Sequence, residues 1–325
     1  MEPTFSLLRL PENVIIKVLE NLSLRQLFEF SLISTKTKNL MASLGLGADY
    51  VDIQICRMIR LDVYFGGYLF NLTIYNDSND ENGELPADIT LPVAATFGYL
   101  YTNVQLTTPL LNFNKWLDHI RTVFCCTPPA NIRFYRGSER FDIGSLKETI
   151  GNVNWLYVFG QSTDIHYKHI LKYFNTPNKL FLDRNPFEIA SEIQQFFIQN
   201  YETVRFHGVN SLDDMLLVNS EKVRFTHSIS QKQFNQFIKH WIRGSNPRLQ
   251  SMYLSIDKTD FVSGIVYLNG VRFMEMSEDA KTEIRQNHRL TSLDMVQIKR
   301  KDGTSAVIAT YDGDHRLHIN LIVLH

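Results

Sequence analysis

The apolar positions in the first 45 residues follow a helical period. After Pro11 they recur on one side of a helix, at Val14, Ile15, Val18, Leu19 and Leu22. The residues from Ser23 have the spacing of a capping box, which predicts the start of a second helix. A third helix is expected after Ser34, with Gly45 as its end. The pattern therefore predicts a compact group of three N-terminal helices.

Three helices this short cannot bury all of their apolar side chains among themselves, and the remainder would exceed the patch that a monomer usually exposes. We call this remainder the apolar stripe, and it consists of Leu10, Pro11, Ile15, Leu19, Leu24, Leu27, Phe30 and Ile33. The stripe either binds another protein or packs on the rest of the same chain. The pattern alone leaves both interpretations open.

The middle of the chain alternates short strand-like segments with helical ones. The strand-like segments recur at intervals of roughly 20 to 30 residues, a period found in leucine-rich repeats, and they begin near Ile132, Trp155, Leu180, Val204, Val223 and Met252. A capping-box spacing at Ser230 and a stop at Gly244 predict one of the helices between them. We therefore predict an α/β fold with an irregular leucine-rich-repeat-like solenoid. A non-repeating α/β domain with the same alternation is the other interpretation.

Alternation within these strands assigns side chains to two faces. Leu156 and Val158, or Val204 and Phe206, are expected to point into the core. The residues between such pairs would line the concave side, and they are Arg133, Tyr157, Phe181, Arg205, Arg224 and Tyr253. Arginine and aromatic residues are enriched at interface hot spots. These positions therefore predict a substrate-binding face, suited to an apolar residue beside acidic or phosphorylated ones.

From about residue 261 the pattern becomes that of antiparallel strands. Asn269-Gly270 lies between short apolar runs and predicts a two-residue hairpin. Turns at Gly303 and Gly313 are expected to join three further strands. This region is predicted to be an antiparallel β-meander that caps the open end of the solenoid.

Two stretches resemble known families. Residues 5–22, with a Leu-Pro start and an Ile/Val-rich first helix, followed by Leu24-x-x-Leu27 and a Ser-Leu-Ile-Ser stretch at 31–34, resemble an F-box. Residues 293–308 resemble the type 2 F-box-associated domain of a large, nematode-expanded group of F-box proteins. The resemblance implies that the apolar stripe binds a Skp-type adaptor, and through it a cullin scaffold, while the C-terminal region binds a protein substrate.

These patterns together predict four regions and a function. The regions are an F-box at 1–45, connecting strands and an acidic loop at 46–100, a leucine-rich-repeat-like substrate region at 101–260 and the β-meander at 261–325, which the resemblance implies is part of the F-box-associated domain. The resemblance implies a substrate-recognition adaptor of an SCF-type ubiquitin ligase, active in protein degradation. The alternative is a non-catalytic repeat-domain scaffold whose F-box-like helices pack on its own body.

Composition argues against several other classes of protein. With 44% apolar and 21% charged residues and a net charge of −1 over 325 residues, there is no electrostatic reason to expect nucleic acid or a membrane surface as a partner. Three cysteines are too few for a disulfide framework, and no signal-peptide pattern is found at the start. We therefore expect a cytoplasmic or nuclear protein.

The sequence contains no motif that predicts catalysis. No phosphate loop, HExxH or GxSxG motif occurs. The polar loop at 76–88 lacks the ordered spacing of a calcium site, and His166 and His169 lack companions for zinc. We therefore expect no enzyme activity, no cofactor and no metal.

Overall fold

The computed structural model describes residues 7–74, 87–99, 102–207, 211–258, 266–292 and 294–324. The polar loop predicted at 76–88 lies almost wholly outside these residues. The chain divides into two compact units: Met1–Leu156 with Gln161–Thr176, and Tyr157–Gly160 with Pro177–His325. Each unit contains both helices and strands.

The first unit opens with a short 3-10 turn, Leu7–Arg9, and then combines helices with a sheet. Its helices are α1 (Glu12–Leu19), α2 (Leu24–Ser31), α3 (Thr35–Ser43), α4 (Phe113–Val123), α5 (Ile143–Ile150) and α6 (Asp164–Tyr173). Its strands are β1 (Tyr50–Ile55), β2 (Ile59–Phe65), β3 (Tyr68–Ile74), β4 (Val93–Tyr99), β5 (Thr102–Leu111), β6 (Ala130–Phe134) and the start of β7 (Val153–Val158). The order in the sheet is β7-β6-β1-β2-β3-β4-β5, with β1 parallel to β6 and the pairs from β1 to β5 antiparallel.

Side-chain caps begin the N-terminal helices where the sequence indicated. Ser23 and Gln26 form a capping box at α2, and Ser34 and Thr37 form another at α3. Pro11 stands at the N-cap of α1, where its missing N–H costs no helical hydrogen bond. Each box satisfies backbone N–H groups that a helix start leaves unpaired. The predicted group of three helices is confirmed.

These helices pack on the sheet of their own unit. Phe28 of α2 is fully buried, with its ring centroid 4.7 Å from that of Phe70 on β3 and 5.8 Å from that of Phe97 on β4. The Ser31 hydroxyl, also on α2, shares a buried 2.8 Å hydrogen bond with Nε2 of His119 on α4. One face of the helical group is therefore part of the core of the first unit.

The second unit is built from strand–helix alternation followed by antiparallel strands. Its strands are β8 (Lys179–Leu182), β9 (Thr203–Phe206), β10 (Lys222–Ile229), β11 (Ser251–Asp257), β12 (Met274–Glu275), β13 (Asp294–Lys299), β14 (Ser305–Asp312) and β15 (Arg316–Leu324). Its helices are α7 (Ala190–Phe197), α8 (Leu212–Leu217), α9 (Gln231–Arg243) and α10 (Glu278–His288). The order is β8-β9-β10-β11-β15-β14-β13-β12, parallel from β8 to β11 and antiparallel beyond β11.

The mixed α/β class that the sequence predicts is confirmed, with an N-terminal helical group followed by extensive sheet. The expected core positions Leu156, Val158, Val204 and Phe206 are all buried. Parallel strands joined by helices agree with either a repeating or a non-repeating α/β arrangement. The leucine-rich-repeat-like solenoid therefore stays a prediction.

Tight turns join the antiparallel strands near the C-terminus, as predicted. Gly303 has φ +97° between β13 and β14, a conformation that glycine adopts without the strain of a side chain. Gly313 lies in the turn between β14 and β15. The pairing of β12 to β15 in consecutive order makes this part an antiparallel meander.

The hairpin predicted at Asn269-Gly270 is wrong. A turn is present, with Gly270 at φ +71°, but Val266–Leu268 before it form a 3-10 turn and not a strand. The reason is a contact from α9, because the Asn235 side-chain amide donates hydrogen bonds of 3.0 Å to the carbonyl oxygens of Tyr267 and Asn269. These backbone groups are satisfied by a helix side chain and need no cross-strand partner.

Candidate functional site

Three members of the apolar stripe are buried in the first unit. Ile15, Leu19 and Leu27 are 2, 0 and 6% exposed. Ile15 and Leu19 are four residues apart on α1, so they share the face that turns towards the core. These side chains can influence a partner protein only through the positions of the helices that carry them.

The rest of the apolar stripe is accessible. Its accessible members are Leu10, Pro11, Leu24, Phe30 and Ile33. Ile33 is 69% exposed, an unusual value for a large apolar side chain. Two further side chains of α1, Val14 and Val18, are 37 and 38% exposed and lie one helical turn apart. The helical group thus keeps an apolar outer surface after its inner face is buried, and Val14 and Val18 belong to that surface.

Five of the six predicted substrate-face residues lie side by side in the second unit. Phe181 on β8 is in register with Arg205 on β9, Arg205 with Arg224 on β10, and Arg224 with Tyr253 on β11. The Tyr157 ring stacks on the Phe181 ring, with a centroid distance of 4.0 Å and an interplanar angle of 3°. We call Tyr157, Phe181, Arg205, Arg224 and Tyr253 the aromatic–arginine row.

The positive charges of this row are not neutralised by carboxylates. Arg224 lies over the Tyr253 ring, 4.6 Å from its centroid, and the Tyr253 hydroxyl shares a 2.8 Å hydrogen bond with Nδ1 of His318. Among the described residues, no carboxylate forms an ion pair with Arg205 or Arg224. Both guanidinium groups are therefore available to an anionic ligand.

The sixth residue, Arg133, belongs to the first unit and is engaged there. Its guanidinium group pairs with Asp52, which is fully buried on β1. Asp62 lies directly opposite Asp52 on β2 and pairs with Arg60 at 3.1 Å. Burial raises the pKa of Asp52 to about 6, and it also raises the pKa of Asp62. Arg133 therefore offsets a buried carboxylate, which the sequence pattern gave no means of recognising.

The described residues show little that suggests catalysis. They contain no group of three or more His, Cys, Asp or Glu side chains arranged to hold a metal ion. His166 and Ser138 share a buried 2.9 Å hydrogen bond. Burial raises the pKa of the Cys126 thiol to about 11, which disfavours the reactive thiolate. No helix in the described part of the chain combines the length and apolar character of a membrane span.

Comparison with known proteins adds two domain assignments. A family model described as F-box domain matches residues 7–48, and one described as F-box associated matches residues 192–254. The second match lies before residues 293–308, on which the sequence resemblance rested, and it contains Arg205, Arg224 and Tyr253.

A relative and the solved structures were also compared. The F-box associated domain-containing protein sdz-33 of Caenorhabditis elegans is 24% identical over 327 residues, covering 99% of this chain and 98% of that protein. No solved structure matches the chain. The similarity to the relative thus extends across the whole sequence, including both matched domains.

Proposed function

Because this chain is an F-box protein with a type 2 F-box-associated domain, we propose that it is a substrate-recognition adaptor of a cullin–RING (SCF-type) ubiquitin ligase. Proteins with these domains are in general non-enzymatic adaptors. The observation that carries the proposal is the accessible apolar surface on and beside α1 and α2, which remains although the other face of these helices is buried. In this role the chain binds a Skp-type adaptor through the F-box, binds substrate through the C-terminal region and works in the cytoplasm or nucleus.

The adaptor-binding surface is proposed to be the outer side of the helical group. Pro11, Val14 and Val18 are exposed on or beside α1, and Ile33 is exposed after α2. Apolar side chains that fill a partner's groove commonly dominate the binding energy of such interfaces. Ile15, Leu19 and Leu27 support this surface from beneath, by fixing the helices on the core.

The substrate-binding surface is proposed to be the aromatic–arginine row. Its stacked rings and its guanidinium groups, which form no ion pair with a carboxylate of the described residues, have the composition of interface hot spots. A leucine-rich-repeat-like arrangement of the strands would present them on a concave side. Arg133, the sixth residue of the predicted set, lies in the first unit, where Asp52 offsets its charge.

One observation favours the alternative scaffold function. Phe28 and Ser31 of α2 are buried against the first unit, so the F-box helices do pack on the body of the chain. A scaffold would use the F-box helices for this packing alone, whereas a ligase adaptor would also use their outer surface. The two functions therefore differ in whether Val14 and Val18 contact an adaptor protein.

Co-purification of the full chain with a Skp-type adaptor tests the proposal. We expect the wild type to retain the adaptor, and a Val14→Asp/Val18→Asp variant to bind it at least about tenfold more weakly, because two charges would enter an apolar contact. Asn13→Asp places one such charge on an exposed polar position of α1 and is the control for charge alone. Absence of adaptor binding in the wild type would support the scaffold instead. Adaptor binding that survives in a folded double variant would show that the adaptor does not use the surface around Val14 and Val18.

A further inference from the structure

A small cavity opens beside the aromatic–arginine row, at the start of β9, β10 and β11. Its volume is 170 Å³, and the side chains that distinguish it are Thr203, Lys222, Arg224, Ser251, Tyr253 and Asn320. Ligand sites that enclose a drug-sized molecule measure roughly 300–1,000 Å³. This cavity therefore suits a single side-chain group better than a cofactor.

The cavity is rich in hydrogen-bond donors and positive charge. Lys222 is exposed and, like Arg205 and Arg224, has no carboxylate partner among the described residues. The nearby carboxylates are paired elsewhere, Glu202 with a lysine at 3.1 Å and Glu221 with an arginine at 3.1 Å. In the part of the chain that the structure describes, two cations of the cavity and the neighbouring Arg205 therefore have no carboxylate partner.

Strand register places these groups on one face of the sheet. Lys222 and Arg224 are two residues apart on β10, so their side chains point to the same side. Asn320 on β15 is in register with Tyr253, which continues the row beyond β11. On the same side, Ile284 of α10 packs in a cluster with Ile322, the strand neighbour of Ser251. Ile322 thus connects the cavity lining to the core beneath α10, while the Tyr157–Phe181 stack lies towards β8.

We propose that this cavity binds the negatively charged side chain of an extended substrate segment, and that the Tyr157–Phe181 stack binds an apolar side chain of the same segment. The inference rests on the proposed function, since it names the kind of substrate that the C-terminal region takes. A phosphorylated serine or threonine and a glutamate share the required chemistry. Guanidinium groups bind both, through paired charge-assisted hydrogen bonds.

The separation of the two subsites sets the spacing of the recognised residues. Phe181 on β8 lies two to three strand positions from the cavity at β10 and β11, or about 10–14 Å at about 4.8 Å per strand. An extended peptide advances about 3.3–3.6 Å per residue. The anionic residue should therefore stand about three or four positions from the apolar one.

The test uses synthetic ten-residue peptides and the purified full chain. Each peptide carries one phenylalanine and, one to six positions away, a phosphoserine, a glutamate or a serine, with the remaining positions mixed. We expect the wild type to bind phosphoserine peptides, or both anionic kinds, at least about tenfold more tightly than serine peptides, with an optimum at three or four positions. Binding of glutamate peptides as tightly as phosphoserine peptides identifies an acidic substrate, and binding of phosphoserine peptides alone identifies a phosphorylated one.

Two single variants show whether the cavity causes the preference for anionic peptides. Arg224→Gln should remove the preference for anionic peptides, whereas Arg243→Gln, which removes the same charge from the exposed end of α9, should keep it. Equal binding of anionic and serine peptides by the wild type, or an unchanged preference in Arg224→Gln, overturns the inference. Measuring Skp-type adaptor binding on the same preparations separates the two proposals. A wild-type chain that selects anionic peptides but does not bind the adaptor contradicts the ligase function and supports the peptide site at the cavity.

Discussion

Replacement of Phe28 by alanine tests whether the F-box helices and the sheet of the first unit form one core. The side chain is fully buried, and its ring lies within 5.8 Å of the rings of Phe70, Phe97 and His119, measured between centroids. Truncation of a buried phenylalanine costs about 3–5 kcal/mol, and loss of the aromatic contacts places this one near the upper end. We therefore expect Phe28→Ala to lower the free energy of unfolding by about 4 kcal/mol, a large part of the roughly 5–15 kcal/mol of a typical domain.

Urea unfolding followed by circular dichroism measures this loss, and hydrogen exchange shows where it acts. In Phe28→Ala the amides of β3 and β4 should lose protection together with those of α2, because the same ring fills the space between them. Ile33→Ala is the matched control, since Ile33 follows the same helix but is 69% exposed, and it should change stability by less than about 0.5 kcal/mol. If the two variants were equally stable, or if the loss of protection stopped at α2, the single core would be refuted.

Two further predictions follow from buried polar groups. Burial lowers the pKa of His119 to about 4, so the unfolded chain binds a proton first and stability falls between about pH 6.5 and pH 4. Burial raises the pKa of Asp52 to about 6, so the folded chain binds a proton first and the free energy of unfolding rises as the pH is lowered through nearly the same range. Asp52→Asn removes this gain, and urea unfolding should therefore show a steeper loss of stability with falling pH. Parallel pH profiles for the variant and the wild type would contradict this. Asn235→Ala removes two hydrogen bonds of 3.0 Å to the backbone near Gly270. We expect the free energy of unfolding to fall by about 1–3 kcal/mol and the segment around Gly270 to be cut faster by proteases. A change below about 0.5 kcal/mol would show that water replaces these bonds.

Local signals in the sequence predicted local structure well. The capping boxes at Ser23 and Ser230 depend on residues three positions apart, and both form as expected. The aromatic–arginine row follows from the two-residue period of strands, since parallel pairing in register repeats one face from strand to strand. The same period could have identified Lys222, two residues before Arg224.

Features that depend on distant parts of the chain were not predictable in this way. Asn320 reaches the cavity because β15 returns beside β11, a pairing that no local pattern specifies. The prediction of a hairpin at Gly270 was wrong because Asn235, on a helix more than 30 residues earlier in the chain, forms hydrogen bonds with the backbone of this turn. Neither partner is encoded near the residues it contacts, so both had to come from the three-dimensional structure.

The burial of Phe28 also bears on the order of events during synthesis of the chain. The F-box helices leave the ribosome before the groups that cover Phe28 and Ser31, and of the described rings that contact Phe28 the one furthest along the chain is His119 in α4. Until that helix has been made, α2 exposes the side that the finished protein hides. A chain that ends before α4 therefore lacks the hydrogen-bond partner of Ser31 and one of the rings that cover Phe28.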